Sequence, residues 1–293
     1  MIPYFEIGPL QVGPLQIHSF GVLVATGILL GANRVRARHR QFGIPDEYSS
    51  ALATAIVVSG FIGAHLLDVV AYQTDGLLER PWLPVHAAGV VEWVKAFFQQ
   101  TRVGLLLNPA AGLSSFGGFL GAFVCLLYWS YWTKRPRVPM LLNADALLFG
   151  LTFGWFFGRL GCFSAHDHPG NHTDFFLAVA FPGGPRHDLG LYEAMFAGTL
   201  TAAYVVLGRK VQRAGLYAAL TCLLYGPVRF GLDFLRARDV SGADPRYFGL
   251  TPAQYGAVLV AATGVVLAVR VATSKAPAKA TVPQFPTSAA PGR

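Results

Sequence analysis

The chain has 293 residues, of which 53% are hydrophobic and only 13% are charged. Soluble domains carry about 25% charged residues, so this composition excludes an ordinary soluble domain and predicts a surface that faces lipid. The net charge of +8 does not indicate a nucleic-acid partner, because the basic residues lie in short loops between apolar segments, where they mark the cytoplasmic side.

Seven apolar segments follow one another along the chain, each close to the ~20 residues that a helix needs to cross a bilayer. A helix satisfies its own backbone polar groups in lipid, so strands are not expected. The sequence therefore predicts an all-α integral membrane protein, a bundle of about seven transmembrane helices. The predicted spans are residues 17–36, 50–73, 112–133, 141–161, 190–208, 214–235 and 252–273.

Basic residues alternate between dense and sparse loops. The dense loops hold Arg34, Arg36, Arg38 and Arg40, then Lys134, Arg135 and Arg137, then Arg209, Lys210 and Arg213, whereas the loops 74–111 and 162–189 hold few. Because cytoplasmic loops are enriched in Lys and Arg, the pattern predicts an outside N-terminus and a cytoplasmic C-terminus. Termini on opposite sides of the membrane require an odd number of spans, which agrees with the predicted seven.

One transmembrane domain is predicted over residues 1–274. The remaining residues, 275–293, are rich in Ala, Pro, Lys and Thr and are predicted to form a disordered cytoplasmic tail. Within the loop 74–111, the stretch Val90–Gln99 is amphipathic and is expected to lie in the membrane interface.

Ionisable residues inside apolar spans are costly and usually functional. In this chain they gather on one side, which the predicted topology makes the outer half. The members are His65, Asp68, Arg159, Glu193, Arg229, Asp233 and Arg236, whereas Asp145 alone lies near the inner side.

Arg229, Asp233 and Arg236 have helical spacing and share one face. One interpretation is a salt-bridge network that locks the helices together. With Arg159 added, the cluster has excess positive charge, and an arginine fork suits a pair of phosphate oxygens. The second interpretation is therefore a site for the phosphate of a phospholipid headgroup.

Two further groups carry small or potentially reactive side chains. Ser114, Ser115, Gly117, Gly118 and Cys162 lie at the ends of spans, where they either line a path for lipid or peptide or serve close helix packing. The loop after the fourth span contains His166, Asp167, His168 and His172. Sequential residues in such a loop rarely all point at one ion, so neither a metal nor another cofactor is predicted.

These residues resemble the bacterial prolipoprotein diacylglyceryl transferase family over about residues 17–270. No single motif is specific, but the matches keep the order of the family. They are His18-Ser19-Phe20-Gly21, Ser114 to Gly121, Asp145 standing 14 residues before Arg159, Gly158 to Phe163, His187 with Leu191-Tyr192-Glu193, and Tyr225-Gly226 with Arg229, Asp233 and Arg236.

The resemblance implies an enzyme that moves a diacylglyceryl group from phosphatidylglycerol to the lipobox cysteine thiol of a prolipoprotein, releasing glycerol phosphate. It implies a multi-pass protein of the bacterial plasma (inner) membrane, with its site towards the outer leaflet. The expected partners are phosphatidylglycerol, the prolipoprotein signal peptide and the bilayer.

On this resemblance Arg159, Arg229 and Arg236 hold the phosphate, with Asp233 and Glu193 positioning them. The predicted general base is His65, with Asp68 one turn later fixing its tautomer, and His187 is the second candidate.

The sequence departs from the family where the thiol is activated. Phe116 stands where the family has its catalytic His, Cys162 where it has Asn, and Phe20 where it has Tyr. His65 and Asp68 replace an Arg and a Tyr, and Asp233 replaces a Glu. The phosphate-holding half is thus retained while the thiol-activating half is changed. The alternative is a divergent or non-catalytic phospholipid-binding membrane protein on the same fold.

Overall fold

The computed structural model describes residues 1–13, 15–73, 78–83, 89–107, 112–133, 138–240 and 245–274. In chain order the helices are α1 Ser19–Arg40, α2 Asp46–Leu67, α3 Val90–Gln100, α4 Arg102–Leu107, α5 Ser115–Tyr131, α6 Met140–Ala165, α7 Leu189–Leu207, α8 Leu216–Leu232 and α9 Pro252–Thr273. A π-helical turn, Asp68–Tyr72, follows α2, and a 3-10 turn, Asp233–Leu235, follows α8.

Two short antiparallel hairpins complete the described secondary structure. Strand β1, Leu10–Val12, pairs with β2, Leu15–Ile17, before the first helix. Strand β3, Pro169–His172, pairs with β4, Arg186–Asp188, between α6 and α7. The second hairpin lies beside the end of α6 that carries Arg159, so it contributes to the surroundings of the charged cluster.

Six helices of the described chain are long and apolar enough to cross a membrane. They are Ser19–Arg40, Asp46–Ala71, Met140–Ala165, Leu189–Leu207, Leu216–Leu235 and Pro252–Thr273. The predicted span 112–133 contains α5, an apolar helix of 17 residues, which at 1.5 Å per residue is about 26 Å long. The predicted fold class, an all-α integral membrane protein, is confirmed.

The chain divides into two compact units. Unit 1 comprises Met1–Ser49 and Leu141–Arg293, and unit 2 comprises Ser50–Met140. The single domain over residues 1–274 stays a prediction. The predicted disordered tail, 275–293, lies outside the described residues.

In unit 1, α1 and α6 meet through glycine. A Cβ atom on Gly31 would lie 2.8 Å from the carbonyl oxygen of Gly150, and one on Gly150 would lie 2.6 Å from that of Gly31. Such distances are too short for any side chain, so only glycine permits this approach. Close approach between small residues is a main source of helix association in lipid, where apolar burial gives no driving force.

Asp145 joins α6 to the start of α8. Its buried carboxylate accepts hydrogen bonds from the backbone N–H groups of Gly215 at 2.7 Å and Ala218 at 2.9 Å. The first N–H groups of a helix have no partner within the helix, and a negative charge near them is favourable. The contact ties together the two helices that carry Arg159 and Arg229.

In unit 2, α2 packs closely against α5. A Cβ atom on Gly63 would overlap the carbonyl oxygen of Gly117, and one on Gly117 would overlap that of Gly63. The amphipathic stretch predicted near Val90–Gln99 forms helix α3, where Val90, Val91 and Trp93 are exposed. Exposed apolar side chains on one short helix fit a position in the membrane interface.

The role of Asp145 predicts the effect of its removal. Asp145→Ala leaves buried N–H groups at the start of α8 without an acceptor, and losing a cap costs about 0.5–2 kcal/mol. We expect a lower midpoint of thermal unfolding for the purified chain in detergent. Asp145→Asn keeps an acceptor oxygen and should lose less. Equal stability of Asp145→Ala and the parent chain would contradict the capping role.

Candidate functional site

Glu193 lies between two arginines on different helices. It stands one turn into α7 and is only 1% exposed. Its Oε1 accepts a hydrogen bond from Arg229 Nη1 at 3.3 Å. Its Oε2 lies 2.9 Å from Arg159 Nε, although the N–H does not point at the oxygen, so this contact is an ion pair rather than a hydrogen bond.

Asp233 continues the cluster beyond α8 and is fully buried. Its Oδ1 lies 2.9 Å from Arg229 Nη2 and accepts a hydrogen bond from Arg236 Nε at 3.2 Å. Its Oδ2 accepts a hydrogen bond from the hydroxyl of Thr251, the residue that caps α9. These contacts bring Arg229, Asp233 and Arg236 together, although Asp233 and Arg236 lie beyond the last residue of α8.

Together these groups form a continuous arginine chain, defined as Arg159, Glu193, Arg229, Asp233 and Arg236. Its three guanidinium groups face two carboxylates, which leaves one excess positive charge. The carboxylates are buried, whereas the side chains of Arg159 and Arg236 remain 21% and 25% exposed. An anion that reaches the exposed guanidinium edges would balance the charge, and a phosphate fits their forked geometry.

Arg159 also contacts Cys162 within α6 and His168 in the loop that follows the helix. Its Nη1 lies 3.4 Å from His168 Nε2 and 3.9 Å from Cys162 Sγ. Both contacts are long and weak compared with an ordinary N–H···O bond. An incoming phosphate oxygen would therefore be a better partner for this edge of the guanidinium group.

Cys162, Asp167 and His168 offer metal-ligand atoms within 4.8 Å of one another. Thiolate, carboxylate and imidazole are all zinc ligands. The guanidinium of Arg159 already contacts two of the three groups, and one positive charge disfavours another at this distance. The arrangement therefore does not favour a metal ion.

His166 and Asp188 form a buried pair that the sequence did not predict. His166 Nδ1 lies 2.7 Å from Asp188 Oδ2, and Tyr4 stacks on the imidazole ring at 4.7 Å. Burial raises the pKa of Asp188, and the hydrogen bond to His166 acts in the opposite direction. Asp188 also caps α7 by accepting from Leu191 N. The sequence signal for this role of Asp188 was an Asp directly before an apolar helical segment, which is a typical helix cap.

The two predicted bases have different surroundings. In unit 1, His187 Nδ1 lies 2.8 Å from the hydroxyl of Tyr192, and burial lowers the pKa of His187. In unit 2, His65 Nε2 donates to the carbonyl oxygen of Leu106 at 2.8 Å.

His65 was expected to contact Asp68, but in the structure it has a different partner. Asp68 accepts a hydrogen bond from Gln73 Nε2 at 2.6 Å, and the carbonyl of Leu106, not Asp68, sets the tautomer of His65. The reason is local: a π-helical turn begins at Asp68 and alters the helical spacing on which the expected contact depended.

The other predicted residues of unit 2 lie at the start of α5. Ser114 is buried at the position before the helix, and its N–H donates to Ala64 O at 3.0 Å. Ser115 and Phe116 are exposed. Gly117 is in close contact with Gly63, which is the packing role that the sequence left open, while Gly118 makes only ordinary contacts. Cys162 lies beside Arg159 in unit 1.

The fold and the cluster define a class: a multi-pass membrane protein with a partly accessible arginine site between helices. Comparison with known proteins gives the family. The family model for prolipoprotein diacylglyceryl transferase matches residues 9–270, and the chain belongs to this family.

Curated relatives carry the name phosphatidylglycerol–prolipoprotein diacylglyceryl transferase. The chain is 27% identical to the relative from Chromohalobacter salexigens, covering 92% of this chain and 94% of that protein. It is 29% identical to the relative from Tolumonas auensis, covering 78% of this chain and 81% of that protein. The similarity therefore extends along nearly the whole length.

Glu193 provides a test of the arginine chain as a structural unit. Glu193→Ala leaves Arg159 and Arg229 without their shared counter-charge. Breaking a buried ion pair costs about 3–5 kcal/mol, and partial exposure of the arginines places the expected loss near the lower end. Thermal unfolding of the purified chain would measure it.

The matched control is Asp239→Asn. Asp239 pairs with Arg186 and is exposed, so its loss should not change the unfolding midpoint measurably. If both variants unfold like the parent chain, Glu193 does not hold the arginines.

Proposed function

We propose that this chain transfers a diacylglyceryl group from phosphatidylglycerol to the lipobox cysteine thiol of a prolipoprotein, with release of glycerol phosphate. The observation that carries the proposal is the arginine chain with its one excess positive charge and its accessible Arg159. Membership of the transferase family supplies the reaction class.

The charge of the reacting phosphate explains why an excess cation is useful. The sulfur forms a bond to the glyceryl carbon while the bond from that carbon to the phosphate oxygen breaks. A phosphodiester carries one negative charge, and the departing monoester carries close to two at neutral pH. Groups that bind the developing charge better than the ground state accelerate the step.

Each member of the arginine chain has a proposed role. Arg159 and Arg229 hold the phosphate, and Arg236 adds positive charge at its edge. Glu193 and Asp233 orient the guanidinium groups from behind, because their carboxylates are buried while the arginines reach outwards. Removal of the thiol proton is assigned by the sequence prediction to His65 or His187.

The path of the substrates is also part of the proposal. The sequence prediction assigns the path of the prolipoprotein signal peptide and the lipid to Ser114, Ser115, Gly117, Gly118 and Cys162. The site would face the outer leaflet of the bacterial plasma (inner) membrane, with the N-terminus outside. The alternation of basic loops supports this orientation.

A second candidate is a phospholipid-binding protein of the same family that lacks transferase activity. Phe116 and Cys162, which replace motif residues of the family, favour it. Both candidates need the phosphate site, and they differ in whether a thioether forms.

Complementation distinguishes the two candidates. The host transferase is depleted in cells that express this chain, and thioether lipidation of a reporter lipoprotein is measured. We expect restored lipidation. Absent lipidation with normal accumulation of the chain would support the non-catalytic candidate.

The same assay tests the phosphate contact. Losing a hydrogen bond to a charged group costs about 1.5–3 kcal/mol, so Arg159→Ala should slow lipidation by about one to two decades. Arg159→Lys should also be impaired, because a point charge cannot make the forked contact. The control Arg40→Lys changes an exposed arginine paired with Asp46 and should be active. Full activity of Arg159→Ala would show that the arginine chain has a structural role and does not hold the phosphate.

Reporter fusions test the orientation. A reporter that works only outside the cytoplasm should be active when it is fused to the N-terminus. A reporter that works only in the cytoplasm should be active when it is fused to the C-terminus. The reason is that loops rich in basic residues stay cytoplasmic. Two termini on the same side would exclude an odd number of spans.

A further inference from the structure

The imidazole ring of His168 contacts Arg159. We propose that His168, oriented by Asp167, is the base that takes the proton from the attacking thiol. This inference rests on the proposed transfer reaction and names a residue for the half of the site in which the chain departs from its family.

The two partners of His168 determine where its proton lies. Nδ1 contacts the carboxylate of Asp167, and Nε2 faces Arg159 Nη1 at 3.4 Å. A carboxylate can only accept and a guanidinium can only donate. Nδ1 therefore carries the hydrogen, and Nε2 presents its lone pair. This is the tautomer that a general base requires, with an acidic residue holding the ring as in catalytic triads.

The position of the lone pair also fits the reaction. Nε2 contacts the arginine that is proposed to hold the phosphate, so it lies beside the place where the ester oxygen leaves. When Arg159 turns to the phosphate, it exchanges a long contact for a stronger charge-assisted one. Nε2 is then free to accept the thiol proton.

The proposed step needs no reactant other than the thiol and the lipid. The thiol hydrogen moves to Nε2 as the sulfur forms its bond to the glyceryl carbon. The electron pair of the broken carbon–oxygen bond leaves with glycerol phosphate. The imidazolium then returns its proton to the departing phosphate or to water, which regenerates the base.

Two other histidines near described helix ends, His65 and His166, are less suitable. His65 uses Nε2 to donate to Leu106, and its Nδ1 is buried without a hydrogen-bond partner among the described residues. His166 is held by Asp188 with its Nε2 buried. His168 has a side chain that is 26% exposed, so a substrate can reach its ring.

Charged or titratable groups from three elements face His168. They are Asp167 in its own loop, Arg159 and Cys162 on α6, and Glu193 on α7 behind Arg159. Asp167 holds the Nδ1 hydrogen and supplies the negative charge that stabilises the imidazolium formed during the transfer step. Removing the charge of Asp167 should therefore lower the rate of transfer.

The experiment uses the purified full-length chain with phosphatidylglycerol vesicles and a synthetic lipobox peptide, and records the rate of thioether formation against pH. His168→Gln should lose about 100-fold or more in rate, the contribution expected of a general base. His168→Ala should recover part of the rate when imidazole is added. Asp167→Asn should lower the rate, and Asp167→Glu should recover part of it, because the carboxylate that holds the ring is restored.

The control is His172→Gln. His172 lies in the same hairpin region, is 52% exposed and pairs with Asp239, so its loss should leave the profile unchanged. His65→Gln and His187→Gln are measured in parallel, because they carry the roles predicted from sequence.

The outcomes separate this inference from the proposed function. An active parent chain whose rate is unaffected by His168→Gln overturns the inference and leaves the transferase proposal intact. A parent chain that forms no thioether overturns both. If His168→Gln does not accumulate, Asp167→Asn decides the matter, since an unchanged rate in that variant also overturns the role of His168.

Discussion

The sharing of Glu193 between Arg159 and Arg229 is the interaction on which the site depends. In a poorly solvated interior a charge is tolerated only when it is paired or hydrogen-bonded, so the arginines of this cluster require its buried carboxylates. The pairing continues through Asp233 to Arg236 and ends with one cation in excess. That excess charge is the basis of the proposed affinity for an anion, whereas complete pairing would leave only a structural network.

The rest of unit 1 keeps those charges at fixed separations. Asp145 caps α8 from α6, and Asp188 caps α7 while holding His166. Each carboxylate satisfies N–H groups that lipid could not satisfy. The helices that carry Arg159, Glu193 and Arg229 are thereby joined by polar contacts at their ends. A site made of side chains from several helices needs such support, because small displacements weaken phosphate contacts.

Sequence reasoning predicted what depends on periodicity and charge. The spans follow from apolar length, and the common face of Arg229 and Asp233 follows from helical spacing. It did not predict the Asp167–His168 contact or the His166–Asp188 pair, because both depend on the loop and hairpin after α6, where His166 adopts a left-handed backbone with φ of 49°. It paired His65 with Asp68, but a π-helical turn directs Asp68 to Gln73.

The central claim is that the arginine chain holds the phosphate that leaves as sulfur attacks. The most direct measurement incubates the purified chain with phosphatidylglycerol and a lipobox peptide, then quantifies both products by mass spectrometry. Thioether-linked peptide and free glycerol phosphate should form in equal amounts, and both should be lost together in Arg159→Ala. Glycerol phosphate without modified peptide, or modified peptide at the parent rate in Arg159→Ala, would contradict it.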